Sequence, residues 1–330
     1  MSLLTLLVIA MMASTVLAVV SSSFSKDSDR HIIGRRRSSD QEEDYDDDGD
    51  DDSSYSNRLV SKYANLTYIQ VKDDGALPRR LFAVGDIHGC LDEFNALLDT
   101  IQYDYASGDR LVLLGDLVAK GPDSSGVVQR ARELNAWCVR GNHDDKVVRL
   151  ATFQRSKMYQ SHQKGLKVVP EGKVHDPLKL DNHHVHIASQ LMMSDDDYGY
   201  LAACPMMLAL PVLQSLFVHA GLDPSHRLDE QEPFFVMNMR TLQKDGSPAK
   251  HRSDGVRSWT KAWEEMLESS QPITPFRNVY YGHAAASRLQ LGNHTFGLDS
   301  GCVYGGQLSA LDVLTHQLYQ VQCKQYAEHD

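Results

Sequence analysis

Apolar residues fall into short unbroken runs, each closed by a polar loop that contains glycine. In RLFAVGDIHGC the run Leu81-Phe82-Ala83-Val84 stops at Gly85-Asp86. Such a run predicts a strand buried on both faces, as in a parallel sheet. Next, LDEFNALLDTIQ places Leu91, Phe94, Leu97, Leu98 and Ile101 at helical spacing. RLVLLGDLVAKGP repeats the strand and its Gly-Asp, and a helix through Val127, Val128 and Leu134 follows. AWCVRGNHDD supplies a third short strand and a third polar loop. Alternating strands and helices predict right-handed crossovers and a largely parallel sheet, with ligand sites beyond the C-terminal strand ends. Further on, SLFVHAGLDP, RNVYYGHAAA, HTFGLDSGCVYGGQLSALDV and THQLYQVQ predict strands of a second sheet with tight glycine turns. VRSWTKAWEEML predicts a helix with Trp259 and Trp263 four residues apart, in the core rather than as a base-stacking platform.

Ahead of this pattern the chain changes character. Leu3 to Val20 is apolar apart from Thr5, Ser14 and Thr15, which predicts a signal peptide or signal anchor over residues 1–20. Left uncleaved, it would attach the protein to a membrane. Residues 21–60 are Ser, Asp, Glu and Arg with few apolar positions, and predict a disordered acidic stalk. A folded domain is then expected over 61–330, its regular pattern starting near Leu77-Pro78. Asn65-Leu66-Thr67 and Asn293-His294-Thr295 are glycosylation sequons. With the leader they point to the secretory pathway and a lumenal domain, anchored or secreted; the basic residues after the leader leave a cytoplasmic location as the alternative.

The net charge of -11 does not favour duplex nucleic acid as a partner. Much of it is local, because residues 59–330 hold 32 acidic against 27 basic residues. The five cysteines lack CxxC spacing, which excludes a zinc ribbon, and the expectation is small buried residues rather than a disulfide framework, with at least one thiol unpaired. Between 149 and 187 basic residues prevail, either as a solvated loop or as a wall that guides a polyanion. In HHVH (183–186) strand-like alternation sends His184 and His186 to one face and His183 to the other, so these histidines are not counted as a site.

The polar strand ends carry the chemistry. Asp86 and His88 flank Ile87, Asp116 closes the second strand, and Asn142 follows the third; His219 and His283 come from two later strand ends. Two carboxylates, three imidazoles and an amide suit two borderline divalent ions such as Zn, Mn, Fe or Co, with one carboxylate shared. Calcium would prefer oxygen alone.

This constellation resembles the calcineurin-like metallophosphoesterase superfamily and, within it, the phosphoprotein phosphatase family, over about Leu81 to Leu311. The matching motifs are GDIHG (85–89), GDLVAKG (115–121), GNHD (141–144), HAG (219–221) and GH (282–283). The resemblance implies an α/β sandwich of two mixed sheets flanked by helices, with a dinuclear metal site at the strand C-terminal ends. It implies that Asp86, His88 and Asp116 bind one metal, and that Asp116, Asn142, His219 and His283 bind the other. His143 would be the general acid beside a metal-bound hydroxide, with Asp144 counted among the catalytic residues. Lys120 stands at the family's phosphate-binding arginine, and Arg140, Arg257 and Asp299 are further candidates for contact with substrate.

The family pattern reads GDxxDRG where this chain has Ala119-Lys120. The missing aspartate orients the acid histidine in protein phosphatases, so His143 needs another partner or a more acidic leaving group. GDLVAKGPDS, GNHD and GLDSGCVYGGQLSAL together are similar to the ApaH-like branch, and most of all to fungal vacuolar endopolyphosphatases. That branch cleaves phosphoanhydrides, and the resemblance to its fungal vacuolar members implies a vacuole- or lysosome-like lumen. The expected substrate is an anionic phosphate chain, with inorganic polyphosphate first; the alternatives are diadenosine tetraphosphate or capped mRNA, and then a phosphoprotein.

Overall fold

A computed structural model describes residues 66–72, 77–155, 182–191 and 193–328. The leader, the acidic stalk, Asn65 and the basic stretch 156–181 lie outside the described residues. Among the described residues no helix is long and apolar enough to cross a membrane.

The first half runs β1 (Ile69–Val71), β2 (Arg80–Val84), α1 (Leu91–Ile101), β3 (Asp109–Leu113), α2 (Ser124–Glu133), β4 (Trp137–Cys138) and α3 (Asn142–Arg155). Two helices, α4 (Asn182–Leu191) and α5 (Asp195–Ala203), lead to β5 (Met207–Leu210) and β6 (Ser215–Val218). Then come α6 (Pro233–Asn238), the hairpin β7 (Thr241–Leu242) and β8 (Pro248–Ala249), and α7 (Trp259–Glu268). The chain closes with β9 (Asn278–Tyr281), β10 (Gln290–Leu291), β11 (Thr295–Gly297), β12 (Gln307–Asp312) and β13 (Leu318–Gln322).

One sheet has the order β13-β12-β2-β3-β4, the other β1-β5-β6-β9-β11-β10. In the first, β2, β3 and β4 are parallel, as the apolar runs predict. Alternation along β2 divides it between two cores. Leu81 and Ala83 face Leu208, Phe217 and Tyr280 of the other sheet, whereas Phe82 and Val84 face Phe94 and Leu97 of α1. On the outer side of the second sheet, Met207 and Leu216 pack with Trp259 and Trp263, which are 3% and 1% exposed. Both tryptophans are therefore core residues. The result is a helix–sheet–sheet–helix sandwich of two mixed sheets.

One strand assignment changes. β12 and β13 belong to the first sheet, not the second: β12 pairs antiparallel with β2, Ala310 opposite Val84, and β13 caps that edge. Both faces of β12 are buried. Leu308 and Ala310 meet the helices while Leu311 meets the inter-sheet core, so the strand suits a central position.

The cysteine expectation also changes. Cys138 is bonded to Cys204 and Cys302 to Cys323, leaving Cys90 as the free thiol. The partners are 66 and 21 residues apart in sequence, so no short motif announces them. Burial pushes the Cys90 thiol up to about 12, which makes it a packing residue rather than a nucleophile.

Candidate active site

The loops after β2, β3, β4, β6 and β9 converge on one end of the sandwich. His88, Asp116, Ala119, Lys120 and His283 have φ between 50° and 73°, in the left-handed region that non-glycine residues rarely occupy. These bends turn the chain sharply at each strand end. Close approach also needs glycine at two points: a Cβ on Gly141 would lie 2.2 Å from Asp116 Oδ1, and one on Gly282 2.0 Å from Asp86 Oδ1.

Backbone carbonyls fix the three imidazoles. His88 Nδ1 meets Val118 O at 3.0 Å, His219 Nδ1 meets Leu114 O at 2.8 Å, and His283 Nε2 meets Asn238 O at 3.1 Å. Each of those nitrogens donates to its carbonyl, so the opposite nitrogen is the one that faces the site. This is how a metal-binding imidazole is held in the right tautomer. At His219 burial opposes charge but Asp116 outweighs it and raises the imidazole to about 10, so a cation there would displace a proton. The free nitrogens all face Asp116. His88 Nε2 is 3.4 Å and His219 Nε2 3.5 Å from Asp116 Oδ2. His283 Nδ1 is 3.2 Å and Asn142 Oδ1 3.1 Å from His219 Nε2. Asp86 Oδ2 lies 3.9 Å from His88 Nε2, and its Oδ1 accepts from the His283 backbone N at 2.9 Å.

Two sets of donor atoms have their members within 4.8 Å of one another: His88, Asp116 and His143, and Asp116, His219 and His283. Asp116 is common to both. The electrostatics are those of a site built for cations. Burial and then Asp299 push the Asp86 carboxyl well above its usual range. Burial opposes charge on Asp116 too, but His219, His143 and His88 outweigh it and hold that carboxylate well below the usual range. Burial lowers His88 to about 4 despite Asp116, leaving it neutral and able to donate a lone pair. A mixed oxygen and nitrogen set with preset tautomers and a shared carboxylate fits two divalent ions.

Asp86, His88, Asp116, Asn142, His143 and His283 form one wall of a cavity of about 220 Å³, and His219 is fully buried outside the lining. Lys120, Arg240, Arg252 and Tyr304 also line it. Lys120 Nζ is 2.8 Å from Tyr304 Oη and 3.3 Å from His88 Nε2. Burial opposes its charge, but Asp116 and the Tyr304 hydroxyl more than compensate and keep it protonated. Burial, with Arg252 nearby, lowers Arg240 against the pull of Asp116, Asp299 and Asp86. Cations on one side, and on the other carboxylates that would carry divalent ions, suit the cavity to an anion held between them.

His143, on the first turn of α3, accompanies the metal donors. Its backbone N donates to Asp116 Oδ1 at 2.9 Å. Burial pulls its imidazole well below the ordinary range, with Asp116 opposing.

Four candidates are placed elsewhere. Asp144 is fully buried and accepts from Leu117 N at 2.9 Å, Val118 N at 3.2 Å and Gly141 N at 3.0 Å. It braces the loops after β3 and β4, with burial and then Asp116 raising it to about 7; it does not touch the cavity. Arg140 is fully buried, bonded to Asp145 Oδ1 at 3.2 Å and Ala202 O at 2.6 Å, so it faces the core and not substrate. Arg257 is exposed, paired with Glu265, and away from the cavity lining. Asp299 lies behind Asp86, accepting from Gly301 N at 3.0 Å, outside the cavity lining. Arg149 and Arg155, expected in a basic wall, pair with Asp145 and Asp195.

Other residues of the site escape sequence reasoning. Arg240 and Arg252 flank the β7–β8 hairpin, and no strand-end motif marks them. Tyr304 sits inside the quoted GCVYGGQ stretch without a polar neighbour to single it out. His183 and His184 are set aside by a strand-like reading, but residues 182–191 form a helix, so alternation does not apply. In α4, His184 Nε2 reaches His143 Nδ1 at 2.9 Å, and His183 Nε2 accepts from the Lys120 backbone N at 2.8 Å.

Comparison with known proteins agrees with this geometry. A model of the calcineurin-like phosphoesterase family matches residues 79–283. The symmetrical bis(5'-nucleosyl)-tetraphosphatase of Coxiella burnetii (strain Dugway 5J108-111) is 26% identical over 299 residues, covering 77% of this chain and 95% of the relative. The asymmetrical bis(5'-nucleosyl)-tetraphosphatase PrpE of Bacillus cereus (strain 03BB102) is 29% identical over 245 residues, covering 69% and 88%. A crystal structure of a protein provisionally named a diadenosine tetraphosphatase superposes with a TM-score of 0.60 at 29% identity, covering 78% of this chain and 98% of that one.

Proposed function

We propose, from the premise that this chain belongs to the calcineurin-like phosphoesterase family, that it hydrolyses nucleotide phosphoanhydrides, with dinucleoside tetraphosphates as its substrate class. The observation that carries the reading is the pair of donor sets sharing Asp116, at the floor of a cavity that also presents Lys120, Arg240 and Arg252. The names of the relatives support the dinucleoside substrate over inorganic polyphosphate, the first expectation from the sequence.

Asp86, His88 and Asp116 would hold one divalent ion, and Asp116, Asn142, His219 and His283 the other. When bound, these ions supply Lewis-acid polarisation of the phosphoryl group and a water nucleophile at neutral pH. The chain's own residues do the rest. Lys120 binds a phosphoryl oxygen as a point charge, set in place by Tyr304. Arg240 and Arg252 bind the neighbouring phosphates of the chain. His143 hands a proton to the departing oxygen, and an anionic substrate beside it favours its protonated form. Phosphate leaving groups of an anhydride need that proton less than an alkoxide does, which fits a chain with Ala119 in place of the family's aspartate.

Asp116→Asn tests the assignment. It removes the charge shared by two cations, so bound metal should fall below half of the wild-type content and diadenosine tetraphosphate turnover should disappear. A variant that keeps both would refute the ligand set.

The two disulfides support an oxidising compartment for the catalytic domain. Asn293 is exposed in the turn between β10 and β11, which supports reading its sequon as a glycan acceptor. A mobility shift on endoglycosidase treatment, lost in Asn293→Gln, is the expected result; protein made in its native host without a glycan at Asn293 would count against the lumenal location.

A further inference from the structure

The sequence strips His143 of the aspartate that orients it in protein phosphatases, but the structure does not leave the ring unsupported. His184 Nε2 lies 2.9 Å from His143 Nδ1, and the two rings meet edge to edge, their centroids 5.2 Å apart and their planes within 14° of each other. His184 is 8% exposed. Its helix, α4, is firmly seated. Ile187, Ala188 and Leu191 are in the same core as Val147, Val148 and Ala151 of α3, and Ser189 pairs with Gln154 across the two helices. The helix that presents His184 is thus packed on the helix that presents His143. One residue earlier, His183 receives the backbone N–H of Lys120 at 2.8 Å.

We propose that His184 is the positioning residue for His143: its Nε2 accepts the Nδ1–H and turns the opposite nitrogen, Nε2, toward the cavity. An imidazole on α4 thereby replaces a carboxylate on the loop after β3. The proposal rests on the reading of His143 as the proton donor. A packing residue alone would not need its ring nitrogen aligned on that of His143. His183 has a supporting role, fixing the Lys120 backbone against the same helix, so that proton donor and phosphate-binding cation are set by one element. Oriented donors of this kind typically carry about 10–100-fold in activity.

The test uses the full-length protein, loaded with diamagnetic Zn for NMR and with Mn for kinetics, as wild type, His184→Ala, His184→Gln, His143→Asn and the His143→Asn/His184→Ala double variant. Two readouts are taken. In NMR of the imidazole N–H region, a downfield resonance from the bonded ring proton should be present in wild type and absent in both His143→Asn and His184→Ala. In hydrolysis of aryl phosphates, His184→Ala should lower kcat about 10–100-fold on phenyl phosphate and clearly less on p-nitrophenyl phosphate, with KM nearly unchanged. His184→Gln, whose amide oxygen can accept the same proton, should recover most of that loss. The double variant should be no worse than His143→Asn. Equal losses on both esters, additive losses in the double variant, or a resonance that survives His184→Ala would overturn the inference. If His143→Asn shows the leaving-group dependence and His184→Ala does not, the inference alone falls. If His143→Asn shows none, the proton-donor reading falls and takes the inference with it.

Discussion

Gly282→Ala isolates the placement of one carboxylate. Gly282 follows β9, and its backbone N donates to His219 O at 2.8 Å. Its φ is not in the left-handed region, so the backbone accepts alanine. The obstacle is the new methyl, which would lie 2.0 Å from Asp86 Oδ1, where real side chains keep at least 3.0 Å. The oxygen must therefore retreat by about 1 Å. Leu114 O, at 3.4 Å from the same methyl, is already at ordinary contact and blocks a compensating shift of the backbone. Moving Oδ1 weakens the bond from His283 N, now 2.9 Å. A hydrogen bond to a charged group is worth about 1.5–3 kcal/mol, which for a domain of this size lowers Tm by roughly 3–12 °C. A ligand displaced by about 1 Å typically costs ~10²-fold in rate. The assay is metal content by elemental analysis, with kcat/KM for diadenosine tetraphosphate and a thermal melt on the same preparation. The expected result is roughly 100-fold lower kcat/KM, partly restored at high metal concentration, in a protein that is still folded. Wild-type metal content and kcat/KM would refute the view that Asp86 holds a metal from this position.

Lys120→Met removes a charged donor to phosphate and should lower kcat/KM by roughly 10–150-fold; a smaller loss than in Tyr304→Phe would contradict the order of importance. Tyr304→Phe should cost only about 5-fold, because it frees the ammonium without removing it. Replacing Cys302 and Cys323 together by serine should lower urea-melt stability by about 3 kcal/mol, and the same change at Cys138 and Cys204 by about 4 kcal/mol, since the second pair closes the longer loop. Unchanged midpoints would mean that the bridges do not form.

The strands that build the site were readable because their physical demands are local. Leu81 to Val84 and Leu111 to Leu114 must be buried on both faces, and each ends at an aspartate with nowhere to go but the strand end. The six metal-ligand candidates are therefore brought together as the motifs imply. Contacts that depend on distant partners were not readable. Arg140 and Asp144 look available beside GNH, but Asp145, Ala202 and the Leu117 and Val118 amides claim them from elsewhere in the fold. The disulfides join residues without a shared motif. His184 was hidden for a different reason: four residues of HHVH suit either period, and only the longer apolar set of Val185, Ile187, Ala188 and Leu191 reveals a helix. The pattern of β12 and β13 identifies them as strands, but which sheet a strand joins depends on an edge that local pattern does not describe.

The most direct test of the account is the ratio of kcat/KM for diadenosine tetraphosphate to that for a phosphoserine peptide, measured on the purified full-length protein with Mn, Zn and Co in turn. Inorganic polyphosphate is run beside them as the competing anhydride. A two-metal site with Lys120, Arg240 and Arg252 around it, and no aspartate at position 119, predicts that diadenosine tetraphosphate is cleaved at least 100-fold more efficiently than the peptide, and that a chelator abolishes the reaction. A peptide turned over as well as the dinucleotide, or dinucleotide cleavage that survives the chelator, would contradict it.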